Sequence, residues 1–124
     1  MLNKSQRFGM AGESLAVKIL ENAGYRILAR NYRTKLGEID IIAREGEVIV
    51  FVEVKSRAAG GLYGNPKYAV NRTKQRHISK AALHYLKETA RLGCRARFDV
   101  VSILSGEEGV RWEIVRNAFE LAYG

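Results

Sequence analysis

The sequence predicts an α/β fold, a mixed β-sheet flanked by helices in the order αβββαββ. Three observations carry that prediction. Two stretches repeat apolar residues at helical spacing, one ending near residue 23 and one centred near residue 82. Between and after them lie short runs rich in valine, isoleucine and phenylalanine that alternate at strand spacing. Glycine, asparagine and proline cluster in the joints. A sheet with helices packed on it buries both apolar helix stripes. No shift in composition marks a boundary, so the whole chain, 1–124, reads as a single domain.

The elements follow in order. Residues 5–23 are expected to be helical, with Leu15, Ala16, Ile19, Leu20 and Ala23 on one stripe and Gly24 as the stop. Residues 25–32 are a short extended segment. Strands at about 37–44 and 47–56 follow, joined around Glu45-Gly46. Residues 58–68 hold Gly60, Gly61, Gly64, Asn65 and Pro66 and read as a loop. Helical spacing returns over 69–92, with Ile78, Ala82, Tyr85, Leu86 and Thr89 on one side and Gly93 at the end. A strand at about 96–104, a turn at 105–109 and a last strand at about 110–116 complete the sheet. The tail, 117–124, reads as short helix or coil.

The central hairpin carries charges where burial is expected. Asp40 sits between Ile39 and Ile41; Glu53 and Lys55 interrupt a run of Val48, Ile49, Val50, Phe51, Val52 and Val54. Strand side chains alternate between faces. A two-residue turn at Glu45-Gly46 pairs Ile42 with Ile49, Asp40 with Phe51 and Glu38 with Glu53. Glu38, Asp40, Glu53 and Lys55 then share a face, and Asp40 is a diagonal neighbour of Glu53 at roughly 7–8 Å. Two carboxylates this close in a partly buried place leave one protonated unless a cation lies between them. Mg²⁺ or Mn²⁺ is the cation such a pair suits. No Cys/His cluster offers a zinc site. Lys55 could stabilise charge on a phosphate or position an attacking water. An ordinary cross-strand ion pair on a solvated face is the competing interpretation.

Both helices direct polar groups toward the same region. Glu13 precedes Ala16 by three and Leu20 by seven, on the apolar side of the first helix, with Gly9 and Gly12 beside it. A first-turn acid complementing the helix dipole is the alternative. Gln75 stands in the same relation to Ile78 and Ala82, as a site-lining amide or as a residue at the rim of the core. Arg72, Lys74 and Arg76 cluster at the start of the second helix, and Arg7, Arg57 and Lys67 lie near the site in sequence or by topology. Such a cluster could neutralise several phosphates. Tyr63, in the glycine-rich loop, is the tyrosine best placed for base stacking.

The formal charge is +8, which suits a polyanionic partner, nucleic acid before membrane. No apolar run approaches membrane-spanning length, and no signal peptide is expected at residues 1–14. Cys94 is the single cysteine, so no internal disulfide can form. A cytoplasmic protein follows.

In combination these residues resemble the PD-(D/E)XK nucleases, and more closely the YraN-like family of predicted Holliday-junction-resolvase-like endonucleases. The resemblance spans nearly the whole chain. It rests on Gly9-x-x-Gly12-Glu13, Asn31-Tyr32-Arg33, the block from Gly37 to Ala43, the block from Phe51 to Arg57, Arg97-Phe98-Asp99-Val100-Val101 and Asn117-Ala118-Phe119. It implies a restriction-endonuclease-like core and a Mg²⁺-dependent endonuclease acting on DNA, with branched DNA favoured by analogy and a homodimer suited to such two-fold substrates. It carries over Asp40, Glu53 and Lys55 as metal-binding and catalytic residues, the Val54 carbonyl as a further metal ligand, Glu13 as a supporting acid and Gln75 as a polar helix residue of the site. Val115-Arg116 departs from the pattern, since a histidine is expected there. A nucleic-acid-binding module without cleavage is the alternative function, and a scaffold that touches no nucleic acid is a third.

Overall fold

The computed structural model describes residues 4–58 and 70–121, with side chains from Gly12 onward. The elements are α1 (Lys4–Asn22), β1 (Arg26–Thr34), β2 (Gly37–Glu45), β3 (Val48–Ala58), α2 (Arg72–Glu88), β4 (Ala96–Gly106) and β5 (Gly109–Phe119). The predicted order αβββαββ is the observed one. The five strands form one mixed sheet in the order β1-β2-β3-β4-β5. Only β3 and β4 run parallel; the 58–71 connection and α2 make the crossover that a parallel pair needs.

Each helix covers one face. Ile78, Ala81, Ala82, Tyr85 and Leu86 of α2 pack with Ile42, Ile49, Phe51, Phe98 and Val100. Ala16, Ile19 and Leu20 of α1 pack with Ile41, Val50, Val52, Val101 and Ile103. The valines and isoleucines of β3 thus divide by parity, as a strand buried on both faces requires. Two glycines set how closely the helices approach. A Cβ on Gly12 would lie 1.9 Å from Ser56 Oγ, and one on Gly37 would lie 2.6 Å from the His77 carbonyl oxygen. Among the described residues no helix is long and apolar enough to cross a membrane.

Several boundaries differ from expectation. α2 begins later than residue 69 because the Asn71 side chain caps it, accepting the Lys74 N–H at 2.9 Å. It ends before Gly93 because Ala90 takes the left-handed conformation. Residues 117–119 belong to β5 rather than to a terminal helix or coil. A register shift opposite Phe98–Val100, with Asn117 at φ 53°, lets the strand continue to Phe119. The hairpin turn lies at Gly46-Glu47, one residue later than expected. Gly46 has φ 60° at the first central position, where a type II′ turn takes glycine. Ile42 therefore pairs with Phe51, and Ile41 with Val52. The register moves by two residues, which preserves parity. The predicted loop at 58–68, with Tyr63, lies almost wholly outside the described residues.

Candidate active site

The β2–β3 ladder runs to Ile41 and Val52. One step further sets Asp40 opposite Glu53, closer than the diagonal relation expected. The regular alternation of β2 slips here, since Ile39 and Ile42, three residues apart, both join the α2-side core. The expectation that Glu38, Asp40 and Ile42 share one regular face is corrected to that extent. Asp40 nonetheless turns toward β3. Its carboxylate accepts the Val54 N–H at 2.8 Å, beside the Glu53 carboxyl.

Glu53 is buried, its side chain 7% exposed, and two ammonium groups converge on it. Lys55 Nζ lies 3.6 Å from Glu53 Oε1. Lys74, from the first turn of α2, donates a hydrogen bond to that same oxygen. Glu53, Lys55 and Phe51 share the α2 face by alternation, so the start of α2 stands directly over the acids. The backbone thus brings together Asp40, Glu53, Lys55 and Lys74.

The electrostatics follow from burial. Burial and, next, the neighbouring Glu53 charge push the Asp40 carboxyl up to about 7; the Val54 N–H and Lys74 pull it only part of the way back. Burial lowers Lys55, and the Lys74 charge beside it lowers it further. Burial also acts to lower Lys74, but its hydrogen bond and charge interaction with Glu53 prevail and hold it above the ordinary lysine value. An acid pair that retains a proton near neutrality is short of positive charge. A hard divalent cation answers that need, with oxygen ligands to match. Among the described residues no three His, Cys, Asp or Glu side chains gather at one metal position. Asp40 and Glu53 would therefore supply two ligands, leaving the rest of the shell to the Val54 carbonyl, water and phosphate oxygens. That is the coordination Mg²⁺ prefers.

The other expected residues stand around this centre. Glu13 Oε1 accepts hydrogen bonds from Asn31 Nδ2 at 3.0 Å and Arg30 Nε at 3.3 Å. These bonds tie it to β1. Gln75 Nε2 donates to the Val70 carbonyl at 2.8 Å, pinning the end of the 58–71 connection to α2. Arg72 is exposed at the helix start, Arg76 Nη2 lies 3.4 Å from Thr73 Oγ1, and Arg57 is half-buried on β3. The Arg7 side chain and all of Lys67 lie outside the described residues. The sequence reading placed Lys74 among phosphate contacts and missed its place in the acid pair. A signal existed: Lys74 precedes Ile78 by four and Ala81 by seven, so it extends the buried stripe of α2.

A second polar cluster is structural. Asp99 is fully buried. It accepts hydrogen bonds from Tyr25 Oη at 2.7 Å, Arg97 Nε at 3.0 Å and the Asn117 N–H at 2.9 Å. Arg97 also reaches Glu45 at 2.6 Å. Burial, then Asp99, raises the Tyr25 hydroxyl to about 12. The cluster ties α1's exit, the β2 hairpin and the β5 bulge to the start of β4.

Residues 12–103 match the family model described as "Uncharacterised protein family UPF0102". That span holds Glu13, Asp40, Glu53, Lys55, Lys74 and Gln75. The chain is 52% identical over 123 residues to a UPF0102 protein of Syntrophus aciditrophicus, covering 99% of this chain and 96% of that one. It is 54% identical over 121 residues to a UPF0102 protein of Geobacter metallireducens, covering 98% and 97%. A UPF0102 protein of Desulfosudis oleivorans is 48% identical over 120 residues, covering 97% and 95%.

Proposed function

We propose, from the premise that this chain belongs to the uncharacterised protein family UPF0102, that it is a metal-dependent nuclease hydrolysing DNA phosphodiesters. One observation carries the reading. Asp40 and Glu53 adjoin in a largely buried place where Lys55 and Lys74 also converge. A purely structural ion pair needs neither the second acid nor its unfavourable burial.

A bound Mg²⁺ or Mn²⁺ supplies neutralising charge and a water of lowered pKa. Asp40, Glu53 and the Val54 carbonyl would hold it. Lys55 directs its ammonium into the same pocket. There it offsets the charge that grows on the phosphate as a water oxygen bonds to phosphorus and the bond to the leaving nucleotide oxygen breaks. Lys74 brings a second positive charge, and Arg72 and Arg76 extend it along α2 for the flanking phosphates. Glu13 acts at one remove by holding Arg30 and Asn31 in the stretch of β1 that pairs with β2 around Asp40. Gln75 acts similarly by fixing the approach to α2. Branched DNA is the substrate class this reading favours, with two copies serving its two-fold symmetry. The exposed thiol of Cys94 suits a reducing, cytoplasmic setting.

The test is cleavage of labelled junctions, flaps, single strands and duplexes in Mg²⁺ or Mn²⁺. Wild type is expected to cut at least one substrate and Asp40→Ala none. Equal cutting by the two proteins, or no cutting in either metal, would sink the catalytic claim. Lys74 already neutralises part of the Glu53 charge, and that observation favours a second reading, a nucleic-acid-binding module with no cleavage of its own. Salt-sensitive binding unchanged in Asp40→Ala, without cleavage, would select it.

A further inference from the structure

The two edges of the sheet are built differently. β1 carries a register irregularity between Ile27 and Ala29, a left-handed Asn31, and exposed Arg26, Arg30 and Arg33. Bulges and charges of this kind keep an edge strand from pairing with another chain. The first two-thirds of β5 carry no bulge. From Val110 to Val115 the strand pairs with β4 without a slip. It exposes Val110 and Trp112, at 51% and 55%.

We propose that this edge is the interface of a homodimer, in which the β5 strands of two copies pair antiparallel about a two-fold axis at Trp112. The sequence there is self-complementary: Val110-Arg111-Trp112-Glu113-Ile114. In the Trp112-centred register each Arg111 faces the second copy's Glu113. Each Val110 faces the second copy's Ile114, and the two Trp112 side chains meet. A register centred on Arg111 or on Glu113 would instead set like charges opposite each other, which disfavours pairing. The contact is isologous and closes at two copies.

Parity separates the roles of the residues. Trp112 pairs with Ile103 and Ile114 with Val101, both on the α1 face. Arg111 and Glu113 pair with Leu104 and Ser102 and so lie on the α2 face, with the acid pair. The axis of such an edge pairing is normal to the sheet, so both acid pairs face the same side. Resting here on the nuclease reading, the dimer would present two sites to one nucleic acid. Five strand spacings separate the two β3 strands, about 24 Å. Glu53 aligns through Val100 with Val115, three residues from the axis, which adds about 10 Å along the strand on each side. The two sites then stand about 30 Å apart.

The test is sedimentation velocity without nucleic acid, over a dilution series from micromolar upward. Wild type is expected to reach twice the monomer mass. Arg111→Glu alone and Glu113→Arg alone each set like charges across the axis and should raise the dissociation constant at least about tenfold. Mixed in equal amounts, the two variants restore opposite charges at every pair and should form a heterodimer. Circular dichroism confirms that both exposed-site variants fold. A wild type that stays monomeric would overturn the proposal. So would single variants as dimeric as wild type, or a mixture no more associated than its components. Mass and cleavage are read separately, so a monomer that cuts DNA would refute the interface and leave the nuclease reading standing.

Discussion

Asp40→Asn should stabilise the metal-free protein at alkaline pH and lose that advantage in acid. The ordinary Asp value is 3.8 and the folded one is about 7. The folded state therefore binds the proton more tightly than the unfolded state. Wild-type stability is fully present below the unfolded value and declines as pH rises through the folded one. A rise of this size corresponds to about 4 kcal/mol once the proton is gone. The neighbouring Glu53 charge accounts for part of that rise, so a gain of about 2–4 kcal/mol is expected from removing the Asp40 charge. Asparagine keeps an oxygen for the Val54 N–H and offers an N–H to Glu53, so the shape of the pocket survives. For a chain of this length the gain is roughly 6–15 °C in Tm. Thermal unfolding by circular dichroism in EDTA, from acid to mildly alkaline pH, measures it. A Tm difference between variant and wild type that is flat across this range would refute the reasoning, because the pair would then hold no excess repulsion.

Three further outcomes follow from the geometry. Mg²⁺ or Mn²⁺ should raise the wild-type Tm above neutrality, with the gain growing with metal concentration; Asp40→Ala and Glu53→Ala should show none of it by the same measurement. Lys74→Met leaves buried Glu53 with Lys55 alone, so urea unfolding should show a loss of about 1–3 kcal/mol, and the salt dependence of DNA binding should weaken by about one counterion. Asp99→Ala strands Arg97 and Tyr25 in a buried network and should cost about 3–5 kcal/mol in urea without altering metal binding by calorimetry.

Much of the site was legible because strand and helix periods are local. Glu53 and Lys55 are two residues apart, so any strand puts them on one face, whatever its partners. Asp40 was paired with the wrong residue because the turn slid by one position, yet its approach to Glu53 survived because the register moved by an even number. Glu13 was correctly placed on the inner side of α1, but its β1 partners were not legible. Nothing in its spacing announces that Asn31 adopts the left-handed conformation, at φ 52°, and offers its amide there. A structural hydrogen bond was all that could be expected of Asp99, and its partners, Tyr25 and Asn117, were not legible because they are 74 and 18 residues away.

The amino-acid order by itself determined which segments are helix and strand, which side of each is apolar, and that two acids and a lysine interrupt the most apolar hairpin. Each of these depends on neighbours a few residues apart. Tertiary structure alone decided that β4 lies parallel to β3, that α2 begins above Glu53, and that Lys74 rather than Glu13 reaches the acids. These depend on a crossover whose closure joins residues far apart in the chain, where many packings satisfy the same local pattern and only the shared burial of the two cores selects one.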